Sequence, residues 1–349
     1  MSKVVIISDT YFGIRNDSTI FIDNTKKFLD NIFFPKIKEL GIEYIIHSGD
    51  LVDRRKFINF NTSKRMREDF LLPIKNMGLK LDVIIGNHDI YYKNINEVNA
   101  LSELIEDRFD NVNLYYNSCD VNVLGTNILY VPWILDQNKK QSLESIKNTE
   151  SQICIGHLEI AGFSMYRGSP ESDGMSSDVF NKFDMVITGH FHHRSSKNNI
   201  HYVGSHSEFF WSDWNDPRGF HILDLNKREL EFIPNTYTIY EKFYYNNTDI
   251  KSLKQEFFKD KILKIIIKNK ESEFEFDKFI ERVESFSPID YQIIDDIVDI
   301  EENQQDNIEI ESTIDICKKY IENIDSKNVD KKELENKLIE IYNEAVDKE

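Results

Sequence analysis

The sequence predicts an α/β sandwich built on a mixed sheet. Two observations carry that expectation. Five short apolar runs, at residues 4–7, 44–46, 83–85, 153–155 and 185–187, are rich in β-branched residues and apolar on both faces, as in strands buried between layers. Between them, residues 19–40, 60–78 and 96–108 show helical periodicity. Alternation of the two patterns is the mark of layered α/β domains.

From the N-terminus, the run 4–7 reads as a first core strand. It is too short for the apolar segment of a signal peptide and closes on Asp9. Residues 112–131 read as two or three strands, with turns at Asn117-Ser118 and Gly125-Thr126. Residues 200–204, 219–225 and 229–233 add further strands. After Pro234 the texture changes. Residues 261–268 (KILKIIIK) predict a strand, 274–286 a helix and 290–295 another strand, together a small αβ module. Residues 299–311 are acidic with few apolar anchors and read as a linker. Two amphipathic helices close the chain. The first has Ile314, Cys317, Ile321 and Ile324 on one face, and the second has Leu334, Leu338, Ile341, Tyr342 and Ala345.

Composition narrows the function class. The 349 residues are 40% hydrophobic and 30% charged, a globular balance. No apolar run approaches the ~20 residues that span a bilayer. Cys119, Cys154 and Cys317 are too scattered for a zinc site or a disulfide framework, which points to a reducing, cytoplasmic compartment. The net charge of −18 argues against non-specific binding of nucleic acid. It is uneven, however: residues 241–349 carry 29 acids and 17 bases, and ten of the eleven arginines lie in residues 1–240.

The chemistry shows in the residues that end each apolar run. Asp9 comes after the first, Asp50 after the second (HSGDLVDRR), and Asn87, His88 and Asp89 after the third (GNHD). His157 comes after the fourth (GH), and His190 and His192 after the fifth (GHFHH). Ligands in open α/β sheets bind beyond the carboxyl ends of strands, so these groups are expected at one edge of one sheet. Four of the motifs set Gly directly before the ligand-type residue, where a tight turn is expected. Six ligand-type groups exceed the needs of one ion and suit two bridged by a carboxylate. Mixed oxygen and imidazole donors favour manganese, iron or zinc, and a close pair of ions is equipment for phosphoester hydrolysis. A single Asp or His at a strand end is more often a turn cap; five in order are not. His190 and His192 are expected on one side of an extended segment, with His193 on the other.

This order of motifs resembles the calcineurin-like metallophosphoesterases and, within them, the SbcD nuclease family with its recombination-nuclease members from T-even-type tailed phages. GNHDIYYKN, the Pro132-Trp133 pair, GHLEIAGF (156–163) and NDPRGFHILD (215–224) add to the likeness, which covers nearly the whole chain. The resemblance implies a metallophosphoesterase sandwich of two mixed sheets flanked by helices over 1–238. It implies a small capping domain over 239–298, the linker over 299–311 and a partner-binding helix pair over 312–349. It implies two metal ions, most often Mn2+, bridged by Asp50, with Asp9 and His192 on the first and Asn87, His157 and His190 on the second. His88 is implied to contact the phosphate and protonate the leaving oxygen, Asp89 to orient His88 or a ligand, and Asp53 to support the site or pair with Arg54 or Arg55. The implied partners are DNA, a second copy of the chain and a coiled-coil, SbcC-like ABC-type ATPase held by the C-terminal helices, in the cytoplasm of a phage-infected bacterium. The chain itself has no G-x-x-x-x-G-K-[ST] loop.

Tyr11 departs from the pattern, because the family places a ligand His two residues after the first Asp. Three readings stand: a phenolate ligand, a neighbour that leaves water in the ligand's place, or a weakened first metal. Arg54, Arg55, Arg65 and Arg194, with Lys56, Lys64 and Arg67, form either a DNA-backbone track or a solvated face. The aromatics of EFFWSDW (208–214) are expected to pack rather than to stack on bases. His47, His201, His206 and His221 have no motif partner and read as structural. The rival functions are a phosphoesterase acting on a small or protein substrate and a DNA-binding scaffold that does not cut.

Overall fold

The computed structural model describes residues 2–295. Its strands are β1 (Lys3–Ile7), β2 (Tyr44–His47), β3 (Lys80–Ile84), β4 (Val112–Tyr115), β5 (Cys119–Val123), β6 (Thr126–Val131), β7 (Ile153–His157), β8 (Met185–Gly189), β9 (Ser195–Lys197), β10 (Ile200–Tyr202), β11 (Gly219–Asp224) and β12 (Glu229–Pro234). They form two six-stranded mixed sheets, ordered β12-β11-β1-β2-β3-β4 and β5-β6-β7-β8-β10-β9. The centres are parallel (β1 to β4, and β6-β7-β8-β10), and antiparallel strands close both edges of the second sheet and the β11-β12 side of the first.

The central runs are apolar on both faces because both faces are covered. Val4, Ile6, Tyr44, Ile46 and Ile84 face inward against Ile128, Tyr130, Ile153, Ile155 and Ile187 of the other sheet. Val5, Ile7, Ile45, Leu81 and Val83 face outward under helices that bring Phe28, Phe33, Ile37, Phe70 and Ile74. On the far side Leu129, Cys154 and Val186 pack with Ile146 and Phe180. Each such side chain contributes ~1.5–3 kcal/mol when fully buried. The inner layer also holds one carboxylate, Asp82, which accepts from the Tyr44 and Tyr130 hydroxyls (2.7 and 2.8 Å) and from Asn113 (2.9 Å).

The predicted helices over 19–40 and 60–78 are each interrupted. Thr19–Phe28 runs through a π-type segment, Leu29–Phe33, into Phe34–Leu40, and Phe60–Arg65 runs through Met66–Leu71 into Leu72–Asn76. Both π segments lead into a proline, Pro35 or Pro73, near the start of the next segment. A proline ring cannot donate to the ladder and crowds the preceding turn, and a wider turn accommodates it. Within predicted helix 96–108 only Ala100–Leu104 is helical. A helix at Lys139–Asn148 and a strand at Tyr240–Asn246 were not expected.

That last strand, β13 (Tyr240–Asn246), begins a three-stranded parallel sheet with β14 (Ile262–Asn269) and β15 (Asp290–Asp295). Helix Glu273–Glu284 lays Phe276, Phe279 and Val283 on Tyr245, Leu263, Ile265 and Ile267. Ile239 and Tyr240 join a buried cluster with Tyr11, Ile14, Phe21 and Phe209, so the first motif loop lies against the start of this module. Among the described residues, no helix is long and apolar enough to cross a membrane. The predicted linker (299–311) and helix pair (312–349) lie outside the described residues.

Candidate metal centre

The five motifs lie at the carboxyl ends of β1, β2, β3, β7 and β8, with His157 the last residue of β7, but they do not share one sheet. The first three end strands of one sheet and the last two end strands of the other. Runs apolar on both faces occur in either sheet, so the pattern could not tell them apart. The site lies where the carboxyl ends of both sheets meet.

The loops after β1 and β2 continue the pairing of their strands. Asp9, Tyr11 and Phe12 donate their N–H groups to the carbonyls of Gly49, Asp50 and Leu51 (3.0, 3.2 and 2.9 Å). Gly49 has φ of 106°, and a Cβ there would meet the His157 ring at 2.3 Å. Gly86 is required for a different reason: its Cβ would fall 2.2 Å from Asp50 Oδ1. Close approach, rather than a tight turn, makes that glycine necessary. Asp89 ties the loops together. Its two oxygens accept from the N–H groups of Asp50 (3.0 Å), Leu51 (2.9 Å), Val52 (3.2 Å) and Gly86 (2.8 Å). It thus fixes the backbone of Asp50 and makes no bond to His88.

Asp50 sits at the middle of the site. Its Oδ1 accepts from the His88 N–H (2.7 Å), and its Oδ2 accepts from the Tyr11 hydroxyl (2.8 Å) and lies 3.3 Å from His157 Nε2. Burial acts to raise its pKa, yet the charge and hydrogen bonds of His157 and His88 outweigh it and hold the carboxyl well below the usual range. On one side of it, Asn87 Oδ1 lies 3.0 Å from His157 Nε2 and 3.0 Å from His190 Nδ1. Ligand atoms of Asp50, His157 and His190 all lie within 4.8 Å of one another. The Ser48 carbonyl accepts from His157 Nδ1 (2.8 Å), which turns Nε2 inward. Trp133 packs on the His190 ring, 4.7 Å between centroids.

On the other side lie Asp9, Tyr11 and His192. Asp9 Oδ2 accepts from the His190 N–H (3.2 Å), whereas its Oδ1 is buried without a hydrogen-bond partner. Burial pushes the Asp9 carboxyl up to about 7, against the pull of His157. Tyr11 stands where the resemblance leads to the expectation of a histidine. Its hydroxyl proton goes to Asp50, so the 3.2 Å contact with His192 makes Nε2 the donor, and His192 Nδ1 is buried without a partner. Burial, then the charges of Asp50 and Asp9, hold the phenol well above its ordinary pKa, and it stays neutral. An orphaned buried acceptor such as Asp9 Oδ1 is costly. Carboxylate, amide and imidazole atoms gathered around one buried acid are a donor set that a divalent cation would satisfy.

His190 and His192 both face the site, though not through strand alternation. His190 has φ of 88°, so the segment bends there. His193 turns away as expected and bonds Asp216 at 2.9 Å. The loop is pinned by Arg218, a buried residue within NDPRG that belongs to none of the five ligand motifs. Its guanidinium donates to the His192 carbonyl, to Ser205 (3.0 Å), and to Asp213 and Asp216 (2.9 Å each). His47, read as structural, lies buried beneath the site between Thr10 (3.0 Å) and the Gly49 N–H (3.3 Å).

Comparison with known proteins gives the family. Residues 2–194 match the calcineurin-like phosphoesterase family. The chain is 30% identical to exonuclease subunit 1 of Enterobacteria phage T4, over 98% of this chain and 99% of that one. The chain belongs to the calcineurin-like phosphoesterases. It is also 26% identical to the SbcD subunit of the nuclease SbcCD of Staphylococcus epidermidis, over 66% of this chain and 69% of that one. A dimetal phosphatase from Danio rerio is similar in structure, with a TM-score of 0.40 and 11% identity over 64% of this chain and 92% of that one.

The remaining expected site residues of this phosphoesterase have other partners. His88 Nδ1 donates to the Asp53 main-chain carbonyl (2.6 Å), and its ring meets Tyr11 edge-on at 5.1 Å. The Asp53 carboxylate makes no salt bridge with Arg54 or Arg55 among the described residues; burial pushes it up to about 6. Arg54 is tied to Asp17 (3.1 Å) and Asn16 (2.7 Å), and Arg65 to Asp69 and Asp23. Arg194 lies over the Phe232 ring at 4.3 Å, in a cavity of about 590 Å3 shared with His201 and His221. Each of these guanidinium groups thus has a local partner within the fold. Of the aromatics at 208–214, Phe209 packs on Tyr11 (5.6 Å) and Trp211 on Tyr240 (4.6 Å).

Proposed function

We propose that this phosphoesterase is the nuclease subunit of an SbcCD-like recombination and repair complex. In this reading it hydrolyses DNA phosphodiesters as exonuclease and endonuclease. The single observation that carries the hydrolytic reading is the double cradle around Asp50, with half-buried His88 at its rim. Asn87, His157 and His190 would hold one divalent ion and Asp9 and His192 another, with Asp50 between them, most often Mn2+. When bound, such a pair supplies positive charge to the phosphoryl oxygens and makes water acidic enough to attack.

The protein's own part is positional. Asp89 fixes the Asp50 backbone, and Ser48 fixes the His157 ring. Because His88 Nδ1–H is spent on the Asp53 carbonyl, Nε2 is the atom left to meet substrate. In the protonated ring it would donate to the departing sugar oxygen. A site that grips phosphate reads little base sequence. The nuclease reading is supported by the names of the T4 and staphylococcal relatives. The word subunit in both names supports an assembly, for which we propose a second copy and a coiled-coil ATPase engaged by residues 312–349.

The test is a nuclease assay with linear and nicked DNA in Mn2+, with and without the coiled-coil ATPase. Cleavage that requires Mn2+ and falls ~10²–10⁴-fold in His88→Ala supports the proposal. Hydrolysis of a small nucleotide ester with no action on DNA would move it to a small-substrate phosphoesterase.

A further inference from the structure

The two halves of the cradle are not equivalent. Asn87 Oδ1, His157 Nε2, His190 Nδ1 and Asp50 Oδ2 approach one another closely. On the other half, the Tyr11 hydroxyl sits between Asp50 Oδ2 (2.8 Å) and His192 Nε2 (3.2 Å), two atoms that an ion there must share. The Tyr11 ring is held by Phe209, His88 and His192, at 5.1–5.6 Å between centroids, and is only 4% exposed. Its backbone is equally fixed, with φ of 45° and its N–H on the Asp50 carbonyl.

We propose that Tyr11 is an internal plug that makes the metal sites unequal. One divalent ion binds tightly at Asp50, Asn87, His157 and His190. A second binds at Asp9, Asp50 and His192 only when the phenol gives up Asp50. This rests on the metallohydrolase reading above and deepens it. Seating the second ion breaks the phenol–carboxylate hydrogen bond and moves the His192 proton from Nε2 to Nδ1, where no acceptor waits. One hydrogen bond to a charged group corresponds to roughly a ten- to hundredfold weaker association. The chain would thus pass from a singly to a doubly loaded state as free metal rises.

The experiment is a Mn2+ titration of the full chain without DNA. Calorimetry gives the stoichiometry, and the paramagnetic resonance of free Mn2+ gives the two dissociation constants. The wild type is expected to bind one ion at least tenfold more tightly than the second. Tyr11→Phe keeps the packing and removes the plug, so its second constant should tighten about tenfold while the first stays put. Tyr11→His adds a ligand and should tighten it at least as much. His192→Ala should abolish the weaker ion alone. Two wild-type constants within threefold of each other would overturn the proposal. So would a second ion that weakens in Tyr11→Phe, since the phenol oxygen would then be a ligand. Intact unequal binding in a protein that does not cut DNA would refute the nuclease reading and leave this one standing.

Discussion

Asp89→Asn tests the claim that this carboxylate is the tie between motif loops. The side chain is fully buried and accepts from four backbone N–H groups at 2.8–3.2 Å. An amide of the same shape keeps one oxygen, able to serve two of them. Its NH2 then points at the other two donors, either Asp50 and Gly86 or Leu51 and Val52. Hydrogen bonds to a charged acceptor contribute about 1.5–3 kcal/mol each, so two lost bonds amount to about 3–6 kcal/mol. The neutral amide is cheaper to bury, which offsets part of this. Burial and the Asp50 charge already push the Asp89 carboxyl up to about 6. The expected net loss is about 2–4 kcal/mol, read as a lower urea midpoint for the metal-free protein with an unchanged slope. Mn2+ affinity at the tight position should fall with it, because the Asp50 backbone is released. A loss under about 1 kcal/mol, with unchanged Mn2+ binding, would show that the loops stand without this tie.

Single contacts set three further outcomes. Gly86→Ala puts a Cβ 2.2 Å from Asp50 Oδ1 and 2.3 Å from Asp50 N, and overpacking of this kind costs about 1–3 kcal/mol. Calorimetry should show Mn2+ affinity at least tenfold lower, and wild-type affinity would contradict the geometry. Arg218→Ala leaves Asp213 and Asp216 buried without their cation; a loss of about 3–5 kcal/mol is expected, and a thermal midpoint within a degree of wild type would refute it. Mn2+ at 100 times its dissociation constant should stabilise the chain by about 2.7 kcal/mol. Chelation should reverse the shift, and a midpoint indifferent to Mn2+ would argue against a metal centre.

Much of the site could be read from the sequence because it obeys a local rule: an apolar run, then a ligand-type residue. Asp9, Asp50, Asn87, His157, His190 and His192 all obey that rule and all meet. What the rule lacks is sheet membership, which depends on long-range pairing such as β6 with β7 (Ile128↔Ile153). Strand β13 is hard to see in the sequence because YEKFYYN alternates weakly and has no β-branched residue. Asp53 stands out for its carboxylate, but its carbonyl is the group that holds His88, and no residue letter encodes a main-chain role. The pairing of Arg54 with Asp17 and of Arg65 with Asp23 is not legible because those acids lie some 40 residues away in sequence, whereas Asp69, the other partner of Arg65, lies one helical turn on.

Backbone conformation explains why the position of Tyr11 constrains its chemistry. Asp9, Tyr11, Asp50 and His190 all have positive φ, at 52°, 45°, 56° and 88°. Non-glycine residues in that region cost about 1–3 kcal/mol apiece, so glycine would relieve strain at each. It would also remove the side chain whose direction the strain sets. The chain instead holds the turns at Asp9, Tyr11 and Asp50 by the cross-loop bonds from Asp9, Tyr11 and Phe12 to the carbonyls after β2. Tyr11 is therefore aimed at Asp50 by a scaffold that does not depend on its hydroxyl. Exchange of that ring for phenylalanine or histidine alters what is presented to the acid while the aim is preserved, which is why differences among those variants can be read as chemistry rather than as misfolding.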